Sequence, residues 1–496
     1  SGVIAIVSNV IQMIIGIGTT LVLVRIIGPD DYGVYMMAAI PLLLSVAVRD
    51  LGVSTAVVNA TDLTPERATG LFWSVVLSSA SVGLLLVATG PLLSMINNEP
   101  RVAALMPAVG ATSFVLGVSA VHDGLLKRQM RFVAVACRDI SGMLAGSIAA
   151  IAVALAWRDH WALVAQQAAI AGVGLLVCLA ACPWVPGSPR ILGQTLRDSG
   201  EREHILHGAR TSASRFIGTL GLIADRFAIG ATAGDRALGL YSQSYVWAEF
   251  PTRQVYQPLM AVVVSAFSRR QDAETERYRR AFRQVLLVLY GVTIPMLVFG
   301  VIRAELLIPV ILGDKWDGAV PLFRVLCVAF LFRLVVQACK WLYLGESRSA
   351  DNLKWSGMMT PVLVAAAAVG ATRGAFGVAV GVAIGYGLIA PWCVWFATRR
   401  SRIRPADLVR PAGRPLVTAG CGIAAVLGVD RLLPPSSFPP AILAAEIAAF
   451  TGAAGVGWLL PGQSRSEIAD CLRVLAKRFD RPEATGSINH DKGSGS

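Results

Sequence analysis

The chain has 496 residues, of which 55% are hydrophobic and only 15% are charged, whereas soluble domains carry about 25% charged residues. This composition excludes an ordinary water-soluble globule and indicates a protein that crosses a membrane many times. The net charge of +13 is not gathered in a basic stripe with interleaved aromatic residues, so nothing indicates nucleic-acid binding.

Apolar runs of roughly 20 residues, the length that crosses ~30 Å of hydrocarbon, recur along the whole chain. We therefore predict an all-α polytopic membrane protein with about fourteen transmembrane helices. In chain order, the predicted spans cover residues 3–27, 33–58, 69–91, 102–126, 132–157, 160–183, 205–231, 237–267, 281–303, 319–344, 352–372, 374–398, 414–430 and 439–460.

Most of the 44 Lys and Arg residues fall in alternate loops and in the C-terminal tail. Positive charge collects in cytoplasmic loops, so both termini are predicted to be cytoplasmic. The loops on the opposite side are short, which argues against an external catalytic domain.

Residues 23–35 resemble residues 226–241: each segment ends a span, forms a short acidic turn and continues with Gly-aliphatic-Tyr. The two segments are six spans apart, so they keep the same orientation and predict two similar lobes. The predicted organisation is an N-lobe at 1–188, a cytoplasmic linker at 189–204, a C-lobe at 205–402, two further helices at 403–461 and a tail at 462–496.

The tail places Ile468, Leu472, Leu475 and Phe479 on one helix face beside basic residues, a pattern suited to lying on anionic lipid. Its last four residues, Gly-Ser-Gly-Ser, have the composition of a cloning remnant. Among eight cysteines, Cys178 and Cys182 share a helix face. Packing is the stronger interpretation of that pair, and we expect no metal and no cofactor.

Ionisable side chains within spans are costly, at least ~2.5–3.5 kcal/mol at the bilayer centre, and normally face a polar interior. Helical spacing groups several of them into polar faces on spans seven, eight and ten. Arginine binds phosphate oxygens through two parallel hydrogen bonds, so a diphosphate is the expected ligand. The candidate diphosphate contacts from these faces are Arg215, Arg226, Arg253, Arg333, Gln337 and Lys340.

Two alternatives remain open for these charges. Neighbouring acids can neutralise the bases, as in the pairs Glu249 with Arg253, Arg138 with Asp139, and Arg49 with Asp50. Intramembrane carboxylates can instead carry a coupling H⁺ or Na⁺, for which the candidates are Asp225, Glu249 and Asp50.

Several segments resemble polysaccharide transporters of the Wzx type, in the multidrug/oligosaccharidyl-lipid/polysaccharide (MOP) superfamily. They are Leu21 to Tyr35, Asp50 to Ala56, Leu125 to Phe132, Trp161 to Val164 and Asp225 to Gly230. The resemblance implies a two-lobed bundle with a cationic central cavity. It also implies cavity roles for Arg49 and Arg215.

The implied function is alternating-access export of an undecaprenyl-diphosphate-linked oligosaccharide for exopolysaccharide, capsule or O-antigen synthesis. The expected partners are this polyprenyl-linked glycan, membrane lipids, and the polymerase and glycosyltransferases of the pathway. The alternatives are a cation-coupled multidrug exporter of the same superfamily, a membrane polysaccharide polymerase or ligase, and a major-facilitator carrier.

Overall fold

A computed structural model describes residues 2–49, 64–190, 199–268, 275–346, 348–432 and 439–459. These ranges are mainly helical and contain no β-strand. The helices are α1 Gly2–Ile26, α2 Pro29–Val48, α3 Pro65–Asn97, α4 Pro100–Arg128, α5 Phe132–Trp157, α6 Trp161–Ala181, α7 Ser199–Ser268, α8 Thr275–Ile302, α9 Ala304–Leu312, α10 Ala319–Gly345, α11 Ser349–Ala371, α12 Gly374–Thr398, α13 Pro405–Val409, α14 Gly413–Leu432 and α15 Pro439–Leu459.

Ten helices in the described ranges are long and apolar enough to cross a membrane, so the all-α, polytopic architecture is confirmed. The helices α2 and α15, and the two arms of α7, also fall on predicted spans. The arms of α7 meet at Gly234, whose φ of 83° interrupts the helix. The count of about fourteen spans stays a prediction.

Local sequence signals fix where helices begin. Thr64 caps α3 by accepting the main-chain N–H of Arg67 at 3.2 Å, and Pro65 follows as its first residue. Proline suits this position because its missing N–H would have no partner there. Pro29 and Pro100 likewise open α2 and α4.

Internal contacts divide the chain into two compact units. The larger unit comprises residues 1–251, 300–336 and 348–393, and the smaller unit comprises 252–299, 337–347 and 394–496. The predicted boundaries of the lobes, the linker and the tail stay predictions. Residues 191–198 of the predicted linker and all of the predicted tail lie outside the described residues.

In the larger unit, neighbouring helices pack through small residues. A Cβ on Gly83 of α3 would lie 2.9 Å from the Gly110 carbonyl oxygen of α4, and a Cβ on Gly110 would lie 2.7 Å from the Gly83 carbonyl oxygen. Small residues let helix backbones approach closely in a membrane, where lipid supplies no hydrophobic drive for association. The helices of the α3–α4 hairpin are therefore tightly packed against each other.

In the smaller unit, α8 is tied to the short helix α13 by a buried ion pair. Arg279 Nε donates to Asp407 Oδ2 at 2.8 Å, and both side chains are largely buried. Tyr256 stacks on Trp341 with ring centroids 5.1 Å apart, and Phe299 contacts Phe450 of α15 at the same centroid separation. These contacts hold the C-terminal helices to the rest of that unit.

Candidate functional site

A partly buried ion pair joins α7 and α10 inside the larger unit. Arg333 Nη1 donates to Glu249 Oε1 at 2.9 Å and to the Tyr245 hydroxyl at 2.8 Å. The Arg333 guanidinium also lies 4.9 Å from the Phe330 ring centroid, and its side chain is only 13% exposed. A charged fork held by a carboxylate, a hydroxyl and aromatic faces has its geometry fixed in advance.

Arg226 and Asp225 extend this arrangement along the first arm of α7. The guanidinium of Arg226 lies 4.3 Å from the Tyr245 ring centroid. Asp225 is buried and accepts the Tyr241 hydroxyl at 2.7 Å and the main-chain N–H of Arg226 at 2.8 Å. Arg226 Nε is buried and has no hydrogen-bond partner among the described residues, so it remains able to donate.

We call these residues the α7–α10 cluster: Asp225, Arg226, Tyr241, Tyr245, Glu249 and Arg333. Counting 1.5 Å of rise per residue from Gly234, its α7 members lie about 10 to 22 Å along the helix. That range covers the middle of a ~30 Å hydrocarbon layer. Two guanidinium groups face two carboxylates, so an anionic ligand must compete with Glu249 for Arg333.

Three of the predicted contacts fall in the smaller unit. Gln337 and Lys340 continue along α10 but belong to the smaller unit, where both are half-buried, and Arg253 is exposed in that unit. Arg215 lies on α7, but its side chain is outside the described part of the chain. Asp50 lies wholly outside the described residues. Glu249 pairs with Arg333 instead of the neighbour proposed from sequence, Arg253.

A second polar site, the N-lobe cavity, lies among α1, α4, α5, α6 and the end of α2. Its volume is about 320 Å³. Its polar lining consists of Gln12, Arg49, Ser119, Asp123, Arg138 and Asp139. Arg49 comes from the end of α2 and Gln12 from α1, and a role of Arg49 in a central cationic cavity stays a prediction.

Arg138 organises the charges of the N-lobe cavity. Its Nε donates to Asp139 Oδ1 at 2.8 Å, and its Nη1 forms an ion pair with Asp123. Lys127 reaches Asp123 from the following turn at 2.6 Å. The Arg138–Asp139 pair is therefore the neutralised alternative left open by the sequence, with Asp123 as an additional partner.

The two repeated turns pack directly against each other at the opposite end of the larger unit. A Cβ on Gly33 would lie 1.8 Å from the Asp235 carbonyl oxygen, and one on Gly239 would lie 2.0 Å from the Pro29 carbonyl oxygen. Gly239 lies 206 positions after Gly33, and Asp235 lies 206 positions after Pro29. The contact is thus reciprocal, as at a two-fold interface between identical subunits.

Charged residues surround these two glycine contacts. Asp30 accepts Arg236 Nη1 at 3.1 Å, while Arg101 Nη2 reaches Asp235 at 2.9 Å and its Nη1 reaches Asp31 at 3.4 Å. The cluster also takes in His160, which contacts Asp31 at 3.2 Å, and Glu99, which binds Arg101 at 2.8 Å. This hydrogen bond holds the pKa of the Glu99 carboxyl below its ordinary value. We call this group the turn cluster.

A buried aromatic residue packs at the end of the larger unit where the turn cluster lies. Trp316 is fully buried and donates its indole N–H to the Val24 carbonyl at 2.8 Å. Its ring meets Tyr32 edge-on, with centroids 5.9 Å apart, and Arg25 donates to the Val310 carbonyl at 3.1 Å. The end of α1 is thus joined to the segment after α9.

Sequence reasoning missed Asp123 and the turn cluster. Asp123 sits only four residues before the basic loop at Lys127, so it resembles an ordinary helix-end charge. The signal for the turn cluster was present, because the repeat is visible in the sequence, but repeated segments do not reveal whether they touch. No group of three or more metal-ligating side chains occurs in the described ranges.

Two solved structures are similar in fold to this chain. A lipid II flippase, MurJ, in an inward closed conformation superposes with a TM-score of 0.72 at 10% identity, covering 92% of this chain and 99% of that one. An inward-facing multidrug resistance transporter of the MATE family gives a TM-score of 0.59 at 16% identity, covering 80% and 96%. These likenesses show the two-lobed MOP fold.

A family model described as "Polysaccharide biosynthesis protein" matches residues 22–321, more than half of the chain. The chain belongs to this family, the polysaccharide transporters of the MOP superfamily. The lipopolysaccharide biosynthesis protein WzxC of Escherichia coli (strain K12) is 23% identical over 76% of this chain and 75% of its own. The teichuronic acid biosynthesis protein TuaB of Bacillus subtilis (strain 168) is 22% identical over 62% and 63%.

Proposed function

We propose that this transporter moves a polyprenyl-diphosphate-linked oligosaccharide across the bacterial inner membrane, for exopolysaccharide, capsule or O-antigen synthesis. The relatives named above take part in lipopolysaccharide and teichuronic acid biosynthesis, and a flippase for lipid II shares the fold. The polymerase and glycosyltransferases of the same pathway are the partners that such a substrate requires.

The observation that carries the proposal is the buried guanidinium of Arg333, held ready by Glu249 and Tyr245 at mid-depth. A diphosphate offers several charged oxygens and can replace the single carboxylate that now occupies this fork. Arg226 stands beside the same tyrosine with an unused N–H. The headgroup would thus exchange one buried ion pair for another, which limits the cost of desolvation.

The turn cluster supports a mechanism of alternating access. The contacts of Gly33 and Gly239 hold the repeated turns together at one end of the larger unit, and charge placement predicts that this end faces away from the cytoplasm. The N-lobe cavity lies nearer the other end, beside Lys127. Release of the glycan then requires the turn cluster to separate, while the polyprenyl chain stays in lipid.

Removing the arginine fork tests the proposal. Arg333→Ala and Arg215→Ala should each abolish export of the lipid-linked glycan from reconstituted vesicles, because the diphosphate loses its bidentate partner. Arg324→Ala is the matched control, since Arg324 lies on the same helix and binds Glu305 and the Val301 carbonyl. Export at the wild-type rate by both Arg333→Ala and Arg215→Ala, at equal protein levels, contradicts the proposal.

The same vesicles address coupling and the main alternative. Asp225 and Glu249 are the described carboxylates of the α7–α10 cluster, and with Asp50 they are our candidates for H⁺ or Na⁺ coupling. A coupled transporter responds to a pH or Na⁺ gradient, and Glu249→Gln should remove that response. A multidrug exporter, which shares the fold, would instead move a cationic dye and ignore the glycan lipid.

A further inference from the structure

The N-lobe cavity offers a different chemistry from the α7–α10 cluster. Side chains from four helices and the end of α2 converge on about 320 Å³, which is at the small end of the ~300–1,000 Å³ range of ligand sites. Its apolar lining includes Met143 and Ile170. It is large enough for a small polar group and too small for a lipid headgroup together with a whole glycan.

Both carboxylates of the cavity are already paired within the protein, and the cations Arg49, Arg138 and Lys127 outnumber them by one. Arg138 satisfies Asp139 and Asp123 together, and Lys127 adds a second cation at Asp123. A diphosphate entering here would meet two carboxylates, and a cationic drug would meet the guanidinium groups of Arg49 and Arg138. A neutral ligand avoids both conflicts.

The remaining hydrogen-bonding capacity suits hydroxyl groups. A carboxylate has about four lone-pair sites, more than its cations fill here. Gln12 donates its Nε2 to Ser8 at 3.0 Å, which leaves its amide oxygen as an acceptor. Ser119 donates to the Leu116 carbonyl at 2.8 Å, so its oxygen can still accept. Sugar hydroxyls both donate and accept, and therefore match this mixture.

The position of the cavity agrees with this chemistry. Asp123 lies near the end of α4, and Arg138 lies near the start of α5, on either side of the basic loop at Lys127 to Arg131. The charge pattern predicts that this loop is cytoplasmic. The cavity thus lies on the side where a newly made lipid-linked glycan waits.

We propose that the N-lobe cavity binds a sugar ring of the glycan, with oxygens of Asp123, Asp139, Gln12 and Ser119 accepting hydrogen bonds from its hydroxyl groups and Arg138 fixing the carboxylates. This inference rests on the proposed function, and it assigns glycan recognition to the N-lobe and diphosphate recognition to the α7–α10 cluster. Selectivity among glycans would then depend on the N-lobe residues.

The test measures two fragments separately on the purified full chain in nanodiscs. Neutral monosaccharides (glucose, galactose, mannose and N-acetylglucosamine) are followed by saturation-transfer NMR, and inorganic pyrophosphate is followed by calorimetry. We expect at least one sugar to bind the wild type. Asp123→Asn should weaken it by about tenfold, consistent with loss of a hydrogen bond to a charged group. Ser119→Ala, which removes a neutral partner, should weaken it by less, and both variants should leave pyrophosphate binding unchanged.

Two variants act as controls. Glu66→Gln removes an exposed carboxylate at the start of α3, so it should bind the sugar like the wild type. Arg333→Ala should lose pyrophosphate and keep the sugar, and if it keeps both, the diphosphate proposal fails while the sugar site stands. Ser119→Ala leaves the Arg138 ion pairs in place. It therefore still tests the sugar site if Asp123→Asn does not fold.

Three results would overturn the sugar site. The first is a wild-type chain that binds none of the sugars at their solubility limit. The second is a sugar signal that neither Asp123→Asn nor Ser119→Ala diminishes. The third is loss of pyrophosphate or Na⁺ binding in these variants with the sugar signal intact, which would make the cavity an ion site.

Discussion

Gly33 and Gly239 occupy positions where the main chains of two turns leave no room for a side chain. In each case the clashing atom is a backbone carbonyl oxygen, which cannot move aside as a flexible side chain can. Individual arginine residues also differ in how firmly their partners hold them. Arg333 is fixed by a carboxylate and a hydroxyl, whereas Arg236 pairs with Asp30 at the surface, where an ion pair contributes only about 0–1 kcal/mol.

Substitution of Gly33 by alanine should therefore destabilise the folded protein. The added Cβ would lie 1.8 Å from the Asp235 carbonyl oxygen, and forced overpacking typically costs about 1–3 kcal/mol. We expect a lower Tm for Gly33→Ala in a detergent-solubilised melting experiment. Gly172→Ala on α6 is the control, because no atom lies within 4 Å of the position that its Cβ would take. Equal melting temperatures for the two variants would contradict the turn contact.

At the scale of elements, α2 and the second arm of α7 begin with the same turn and meet at it. Short contacts run in both directions between the turns, and Arg101 of α4 joins Asp31 to Asp235 across them. The ion pairs are partly exposed and individually weak. Close packing of the main chains, with Trp316 buried beside α1, supplies the larger part of the stability.

Holding the two turns together should stop transport. Asp30→Cys with Arg236→Cys, in a background without the native cysteines, can be joined by a short cleavable thiol cross-linker, because the native side chains approach within 3.1 Å. We expect the linked protein to lose export and to regain it when the linker is cut. Each single cysteine variant, treated with the same reagent, is the control. Undiminished export by the linked protein would show that these turns do not need to separate.

At the scale of the whole molecule, the placement of Lys and Arg predicts how the chain inserts into the membrane. Lys127, Arg128 and Arg131 lie at one end of the N-terminal helices, and Arg25, Arg101 and Arg236 lie at the other. Lys and Arg are more numerous in alternate loops and in the tail than in the opposite loops. The end that carries Lys127, Arg128 and Arg131 is therefore predicted to be cytoplasmic.

Reporter fusions check that orientation. Alkaline phosphatase fused after Asn98, between α3 and α4, should be active because that turn is predicted to be outside the cytoplasm. A fusion after Gln129, in the next turn, should be inactive and should give fluorescence with a cytoplasmic reporter. The reverse pattern would invert the proposed topology and would place the N-lobe cavity on the wrong side for loading.

The sequence by itself determined the helical membrane architecture, the repeat and the family, because span length, charge placement and motif spacing are local properties of the chain. It also identified Arg226, Arg333 and Glu249 as buried charges, since any ionisable group within an apolar run is costly. Only the tertiary structure decided their partners. Glu249 meets Arg333 across 84 positions of sequence, instead of its helical neighbour Arg253, because pairing depends on which helix faces which. For the same reason, packing alone showed that the repeated turns touch and that Asp123 lines a cavity.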